Sequence, residues 1–248
     1  MSPKPGSIRQ EVWALLRRAA GRLFGLAFLF LALPGAILQA IAPATMPGRL
    51  PESGLWLLFL PVVPVASLLG ALAICRLALD PVETAREALR EALARLLPLL
   101  GAALLLGLAA ALLVGAGLWL AAALGSPLPL LIPFLLCLFC WIRLLLLTPI
   151  AAAEPVGPLA LILRAWRLGA GRFWPLLALL LAAVLFSLIA LIAAGLAGGF
   201  AARLAAGQPQ PNLLAFLLAL MVSALLQAAV AGLFTAFLAR FYARLAPD

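Results

Sequence analysis

Residues 96–150 read LLPLLGAALLLGLAAALLVGAGLWLAAALGSPLPLLIPFLLCLFCWIRLLLLTPI: two apolar runs, Leu96 to Leu124 and Leu128 to Ile150, separated only by Gly125-Ser126-Pro127. A hydrocarbon core about 30 Å thick takes roughly 20 helical residues to cross, and only a helix satisfies every backbone N–H and C=O within one such segment. Each run is long enough. Glycine's flexibility and proline's fixed geometry make the three-residue break a turn, so the pair is expected to form a helical hairpin through a bilayer.

Working outward, four more runs of the same kind appear: Leu23 to Ala42, Leu55 to Leu79, Pro175 to Ala197 and Leu213 to Ala239. The expected fold is therefore all-α, a polytopic bundle of six transmembrane helices forming a single membrane domain over residues 1–248. Composition points the same way, because with 67% hydrophobic and 10% charged residues a soluble domain could not cover itself in polar surface. The first run has a basic flank, and Gln39-Ala40-Ile41-Ala42 looks like a signal-peptide cleavage site. Pro43 would follow that cut, and the basic flank recurs twice inside the chain, so a retained helix is expected.

The formal charge of +9 raises nucleic-acid binding, which needs an exposed basic face with stacking aromatics or a groove-reading helix. The arginines sit instead at the ends of apolar runs, so no nucleic acid is expected. Fifteen Lys and Arg residues fall on one side of the six runs, and only Arg49 and Arg203 on the other. Positively charged loops resist translocation. The N-terminus, the 80–95 loop, the 151–174 loop and the C-terminus are thus expected in the cytoplasm, with a bacterial inner membrane as the setting.

An internal repeat sharpens this picture. Arginines five residues apart precede each odd-numbered run: Arg17/Arg22, Arg90/Arg95 and Arg167/Arg172. Gly21-Arg22-Leu23-Phe24 parallels Gly171-Arg172-Phe173-Trp174, Pro98 parallels Pro175, and Arg76, Arg143 and Arg240 close the even-numbered runs. Three tandem units follow, about 8–76, 82–143 and 158–240, each an amphipathic interfacial helix leading into a membrane hairpin. Ile8 to Arg22 and Leu159 to Arg172 mix Trp and Leu with Arg, which suits headgroup depth. Glu83, Glu87 and Glu91 interleave with Arg86, Arg90 and Arg95 at spacings that support a helix by ion pairs. The three pairs and Arg143 are expected to meet membrane lipids, specifically anionic headgroups.

Other chemistry is sparse. The chain has no His, and Cys137 and Cys140, one helical turn apart, lack the further ligands a zinc site needs, so they and Cys75 read as packing residues. No paired carboxylates lie inside the runs, and no phosphate-cradling Gly-Lys or nucleophilic Ser motif occurs. No catalysis, metal or cofactor is expected. Among the few polar residues in the runs, Gln227 is expected to bond to a neighbouring helix, and Gly195 and Gly199 permit close helix approach. Arg143 could reach Glu154 only if Thr148-Pro149 bent or ended its helix; contact with a phosphate is the favoured expectation.

From Ile142 to Pro175 the sequence carries Glu154, Gly157, Arg164, Trp166, Gly171, Phe173 and Trp174 in a recognisable order. This stretch resembles the six-helix membrane domain of the glycerophosphoryl diester phosphodiesterase membrane-domain family, whose members carry Glu, a Gly three residues on, Arg-Ser-Trp and Gly-x-Phe-Trp. Ala165 stands where that family usually has Ser. The resemblance implies a stand-alone copy of a domain that sometimes accompanies a phosphodiesterase, without the His and metal-binding carboxylates of the catalytic barrel. The expected function is a non-catalytic membrane protein that interacts with lipid or scaffolds a protein partner or a second copy. A transporter or channel subunit, or an accessory domain of glycerophosphodiester metabolism, are the alternatives.

Overall fold

The computed structural model describes residues 17, 19–41, 54–205 and 213–245. Every regular element among them is helical. They are α1 (Ala19–Ile41), α2 (Trp56–Leu79), α3 (Ala85–Leu124), α4 (Leu128–Ala153), α5 (Pro158–Gly169), α6 (Phe173–Ala205) and α7 (Leu213–Leu245). Five of these are long and apolar enough to cross a membrane: α1 to α4 and the Leu220–Leu245 part of α7. The count becomes six if α5 and the first part of α6, which meet at a bend of 101°, form one broken span.

The hairpin of α3 and α4 forms where the sequence places it. Gly125 takes the left-handed φ of 61° that ends α3, and Ser126 N–H donates to the Ala121 carbonyl at 3.2 Å. The start of α3 is a capping box. Glu87 N–H donates to Thr84 Oγ1 at 3.3 Å while Thr84 N–H donates to Glu87 Oε2 at 2.9 Å. From there α3 runs without a break through Pro98. The separate interfacial helix expected in the second unit is therefore absent: its polar first turns continue straight into the apolar run.

The third unit differs. Here α5 is a helix of its own, burying Leu161, Ala165 and Gly169 while Leu159, Leu163, Arg164 and Arg167 face outward. The chain turns into α6 through Gly171 at φ 76°, a conformation that suits glycine. Residues 8–16 of the first unit, like Arg49, lie outside the described residues. The second and third units thus lead into their apolar runs in different ways.

Irregularity in α4 falls one turn earlier than Thr148-Pro149. Leu144–Leu146 tighten into a 3-10 turn, and Leu147–Ala153 is helical again. Pro149 has no N–H for the Leu145 carbonyl and its ring crowds that oxygen, so the turn preceding it adjusts.

Helix α2 holds the centre, packing against α1, α3, α7 and the last turns of α4. Leu72, Ile74, Cys75 and Leu77 of α2 are fully buried, against Leu146 and Ile150 of α4 and Ala228, Ala236 and Ala239 of α7. Small alanines let backbones approach closely, the source of van der Waals cohesion where hydrocarbon removes the hydrophobic drive between helices. Contacts between α2 and α3 cross the boundary between the expected first and second units. Outside this core, Leu104, Leu108, Leu112, Trp119, Ile132 and Phe134 are all more than half exposed, an apolar exterior that suits lipid.

Gly169 fixes how α5 lies on α4, because a Cβ added there would meet the Arg143 carbonyl oxygen at 2.8 Å. Neither backbone can yield cheaply. Gly169→Ala should lower the thermal unfolding temperature of purified protein, as crowding of about 1–3 kcal/mol outweighs a helix-propensity gain of at most ~1 kcal/mol. Gly107→Ala, whose Cβ would meet nothing within 4 Å, should not lower it. Equal temperatures for the two variants would contradict this packing.

Candidate functional site

The ends of α2 and α4 and the start of α3 converge on Arg76. Its Nη2 lies 2.7 Å from Glu83 Oε1 and 2.6 Å from Glu91 Oε2, and its Nη1 donates to the Ala152 carbonyl at 3.3 Å. The last carbonyls of a helix have no partner within it, so a donor from outside is needed. Arg95 supplies the neighbouring one, donating to the Ala151 carbonyl at 3.5 Å while lying 3.7 Å from Glu91. Arg22 reaches across from α1 to the Glu83 carbonyl at 2.9 Å and the Pro81 carbonyl at 3.5 Å. Thus α1, α2, α3 and α4 are laced together at one end, the basic end of the bundle.

A second knot joins α4, α5 and α7. Glu154 Oε1 accepts from the Tyr242 hydroxyl at 2.7 Å and pairs with Arg164 Nη2 at 2.7 Å. Arg143, for which the Glu154 pair was the less favoured alternative to a phosphate contact, lies elsewhere. Its guanidinium lies 4.5 Å from the centroid of the Trp166 ring and 5.2 Å from that of Phe139. Phe139 packs on Phe173 at 5.4 Å, and Phe173 meets Trp174 edge-on at 5.9 Å. The physical reason is geometric: α4 stays helical through Pro149, so Glu154 projects toward α7 while α5, crossing at Gly169, brings Trp166 over Arg143. Cation–π contact replaces the ion pair.

The seven residues of the sequence motif therefore gather at the α4–α5–α6 junction, with Gly157 as the N-terminal boundary of α5 and Gly171 at the bend. Tyr242 was not singled out in the sequence. Its signal was available, as the one tyrosine of the chain, set between Arg240 and Arg244 just beyond the final apolar run. Arg76 likewise reads as a mere closing arginine until the structure places Glu83 and Glu91 against it.

The arginines expected to meet headgroups divide into two sets. Arg22 and Arg95 are committed to carbonyls and carboxylates within the chain. Arg17 is exposed and also takes part in an interaction. Arg90 and Arg167 are exposed, Arg172 is half-buried, and none of the three makes an ion pair to a described residue. Arg86 is exposed and unpaired in the same sense. Arg143 and Arg240 each keep a buried Nε without a hydrogen-bond partner among the described residues.

Beside the first knot lies an open cleft of about 690 Å³, between the first turns of α3 and the α4–α5 connection. Glu87, Arg90, Glu91, Arg95 and Glu154 supply its charges, while Pro98 and Leu161 are among its apolar lining. Ahead of the apolar run, the Thr84 backbone and hydroxyl hydrogen bonds hold the Glu87 carboxyl below the usual carboxylate range.

A second groove, about 560 Å³, opens between α6 and α7 at the level of Ser187 and Gln227. Gln227 Nε2 donates to Ser223 Oγ at 3.2 Å, one turn back on its own helix, rather than across to another. The spacing of four residues makes that local bond available without any interhelical partner. Gly195 and Gly199 lie on α6 and their surroundings fall outside what the structure describes. The chain matches no family model, no curated protein and no solved structure.

The second knot makes a graded prediction. Tyr242 is buried, and Tyr242→Phe leaves the Glu154 carboxylate short of a donor, at a cost of about 1–2 kcal/mol. Arg164, with a side chain 51% exposed, contributes less, so Arg164→Gln should cost under ~1 kcal/mol. Thermal unfolding of the two variants in the same detergent checks the order, and Arg164→Gln proving the more damaging would refute it.

Proposed function

We propose that this chain is a non-catalytic, multi-pass protein of a bacterial inner membrane, a lipid-interacting scaffold whose basic end lies in the cytoplasmic headgroup layer. The observation that carries the reading is the division of labour among the arginines. One set is spent on helix-end carbonyls and carboxylates, and a second, Arg86, Arg90 and Arg167, stays exposed on α3 and α5 without an ion pair to any described residue. Exposed guanidiniums beside apolar helices suit anionic headgroups, each worth about 1 kcal/mol near the surface. On α5, Leu159, Leu163 and Trp166 are exposed next to Arg167, the mixed composition of a helix lying at the interface.

In this reading both termini face the cytoplasm, as the positive-inside rule requires of the basic end. Six spans result when α5 and α6 count as one broken span, and the Arg pairs mark three sequence units that each begin at that end. The resemblance to the glycerophosphoryl diester phosphodiesterase membrane domain fits the Glu154–Arg164 and Arg143–Trp166 pairings, which give its shared residues a common structural task. That task is positioning α5, and it asks for no catalytic role.

The interior favours a scaffold over a transporter or channel subunit. Thr235 is the one polar residue in the buried set among the described residues, and its hydroxyl donates to the Ala231 carbonyl at 2.8 Å. A transport path would place several ionisable groups near mid-depth, whereas the groove between α6 and α7 offers the neutral Ser187, Ser223 and Gln227.

Native mass spectrometry of the detergent-purified protein tests the proposal. The wild-type chain should retain phosphatidylglycerol, and replacing Arg86, Arg90 and Arg167 together with Gln should cut that retention by at least roughly tenfold. Raised salt should weaken it too, as exposed charges are screened. Undiminished retention in the triple variant would overturn the reading.

A further inference from the structure

The cleft beside α3 has a charge pattern that the collar of arginines does not explain. Three carboxylates and two guanidiniums line it. Glu91 is neutralised by Arg76 at 2.6 Å and Arg95 at 3.7 Å, and Glu154 by Arg164 at 2.7 Å. Glu87 and Arg90 remain. They lie one turn apart on α3, both exposed, and neither makes an ion pair with the other or with any described residue. Thr84 occupies only Oε2 of Glu87, leaving Oε1 available.

One open positive and one open negative group, side by side, disfavour a simple anion, which would meet Glu87, and a simple cation, which would meet Arg90. They suit a zwitterion. The rest of the lining adds a direction, because α3 passes from Glu87 and Arg90 through Ala94 to Pro98, with Leu161 of α5 opposite. Eleven residues of helix cover about 16 Å, so one wall carries the charged part of a ligand and then its apolar part. Among the described residues no aromatic ring lines the cleft, so none of them suits a quaternary ammonium. A primary ammonium, which can donate to Glu87 Oε1, fits better. The volume of about 690 Å³ lies within the roughly 300–1,000 Å³ common for small-molecule sites.

We propose that this cleft binds the phosphoethanolamine headgroup of a phospholipid, with Arg90 on the phosphate, Glu87 on the ammonium, and the glycerol end lying against Pro98 and Leu161. The inference rests on the reading that the basic end meets headgroups, and it goes further by naming one selective site within that end.

The test is lipid exchange read by native mass spectrometry, using phosphatidylethanolamine, phosphatidylglycerol and phosphatidylcholine of identical acyl chains in equal amounts. The wild-type chain should retain one phosphatidylethanolamine about fivefold over either competitor, the range of one part-exposed ion pair. Glu87→Gln should abolish the preference over phosphatidylglycerol without disturbing the fold, since Gln also serves in a capping box. Arg90→Gln should lower retention of both phosphatidylethanolamine and phosphatidylglycerol about fivefold. Arg86→Gln, on the same helix but outside the cleft, should leave the retention of phosphatidylethanolamine unchanged. Soluble O-phosphoethanolamine at the lipid's concentration should not displace it.

The proposal is overturned if the wild type shows no preference, if Glu87→Gln keeps it, if Arg86→Gln lowers phosphatidylethanolamine retention as strongly as Arg90→Gln, or if soluble O-phosphoethanolamine competes equally. Retention of phosphatidylglycerol that every arginine variant weakens alike would leave the collar standing while the cleft falls. Retention of no lipid at all would remove both.

Discussion

A helix that ends at the edge of a hydrocarbon layer leaves its last carbonyls without partners, and this chain meets that constraint with arginine. Arg76 is the clearest case. It stands in the last turn of α2, takes Glu83 and Glu91 from the start of α3, and donates to Ala152 at the end of α4. Arg95 repeats the device on the neighbouring Ala151 carbonyl, and Arg22 ties α1 to the carbonyls of Glu83 and Pro81 in the α2–α3 connection. Elsewhere the helices are held by apolar contact and small residues, forces with little directional content. The relative placement of α1 to α4 therefore depends on these few charge-assisted bonds, which are stronger than neutral ones and geometrically selective.

The same constraint explains the second knot and the site beside it. Glu154 follows directly on α4, and its pairing with Arg164 and Tyr242 ties the α4–α5 connection to α7. Because Glu91 and Glu154 are both occupied, the cleft between them exposes only the charges of Glu87 and Arg90. Structural arginines thus decide which charges of the cleft stay open.

Much of this was legible in the sequence. The apolar runs show the helices, since length and hydropathy alone decide what can cross a membrane, and Gly125-Ser126-Pro127 shows the α3–α4 turn. The gathering of arginines at one end was also readable. What escaped was partner choice. Glu83, Glu87 and Glu91 were expected to pair with arginines at three- and four-residue spacing. Glu91 does so with Arg95 at 3.7 Å, but the shorter contacts of Glu83 and Glu91 run to Arg76, because the close approach of α2 and α3 is a tertiary fact that spacing does not carry. Glu154 was one partner weighed for Arg143, yet Arg164 takes that carboxylate and α5, crossing at Gly169, brings Trp166 over Arg143. The continuity of α3 through Pro98 was missed for a related reason: a proline near the start of an apolar run marks a helix beginning only when the preceding residues lack a cap of their own, and Thr84 with Glu87 provides one.

The central claim is that the arginines at the basic end do two different jobs, one holding helices together and one facing outward. Thermal unfolding of Arg76→Gln and Arg90→Gln, compared with wild type in one detergent, separates them most directly. Arg76 has a side chain only 18% exposed and partners on two helices, so its loss should cost about 2 kcal/mol, whereas Arg90→Gln should unfold at the wild-type temperature. Equal stability of the two variants would contradict the account.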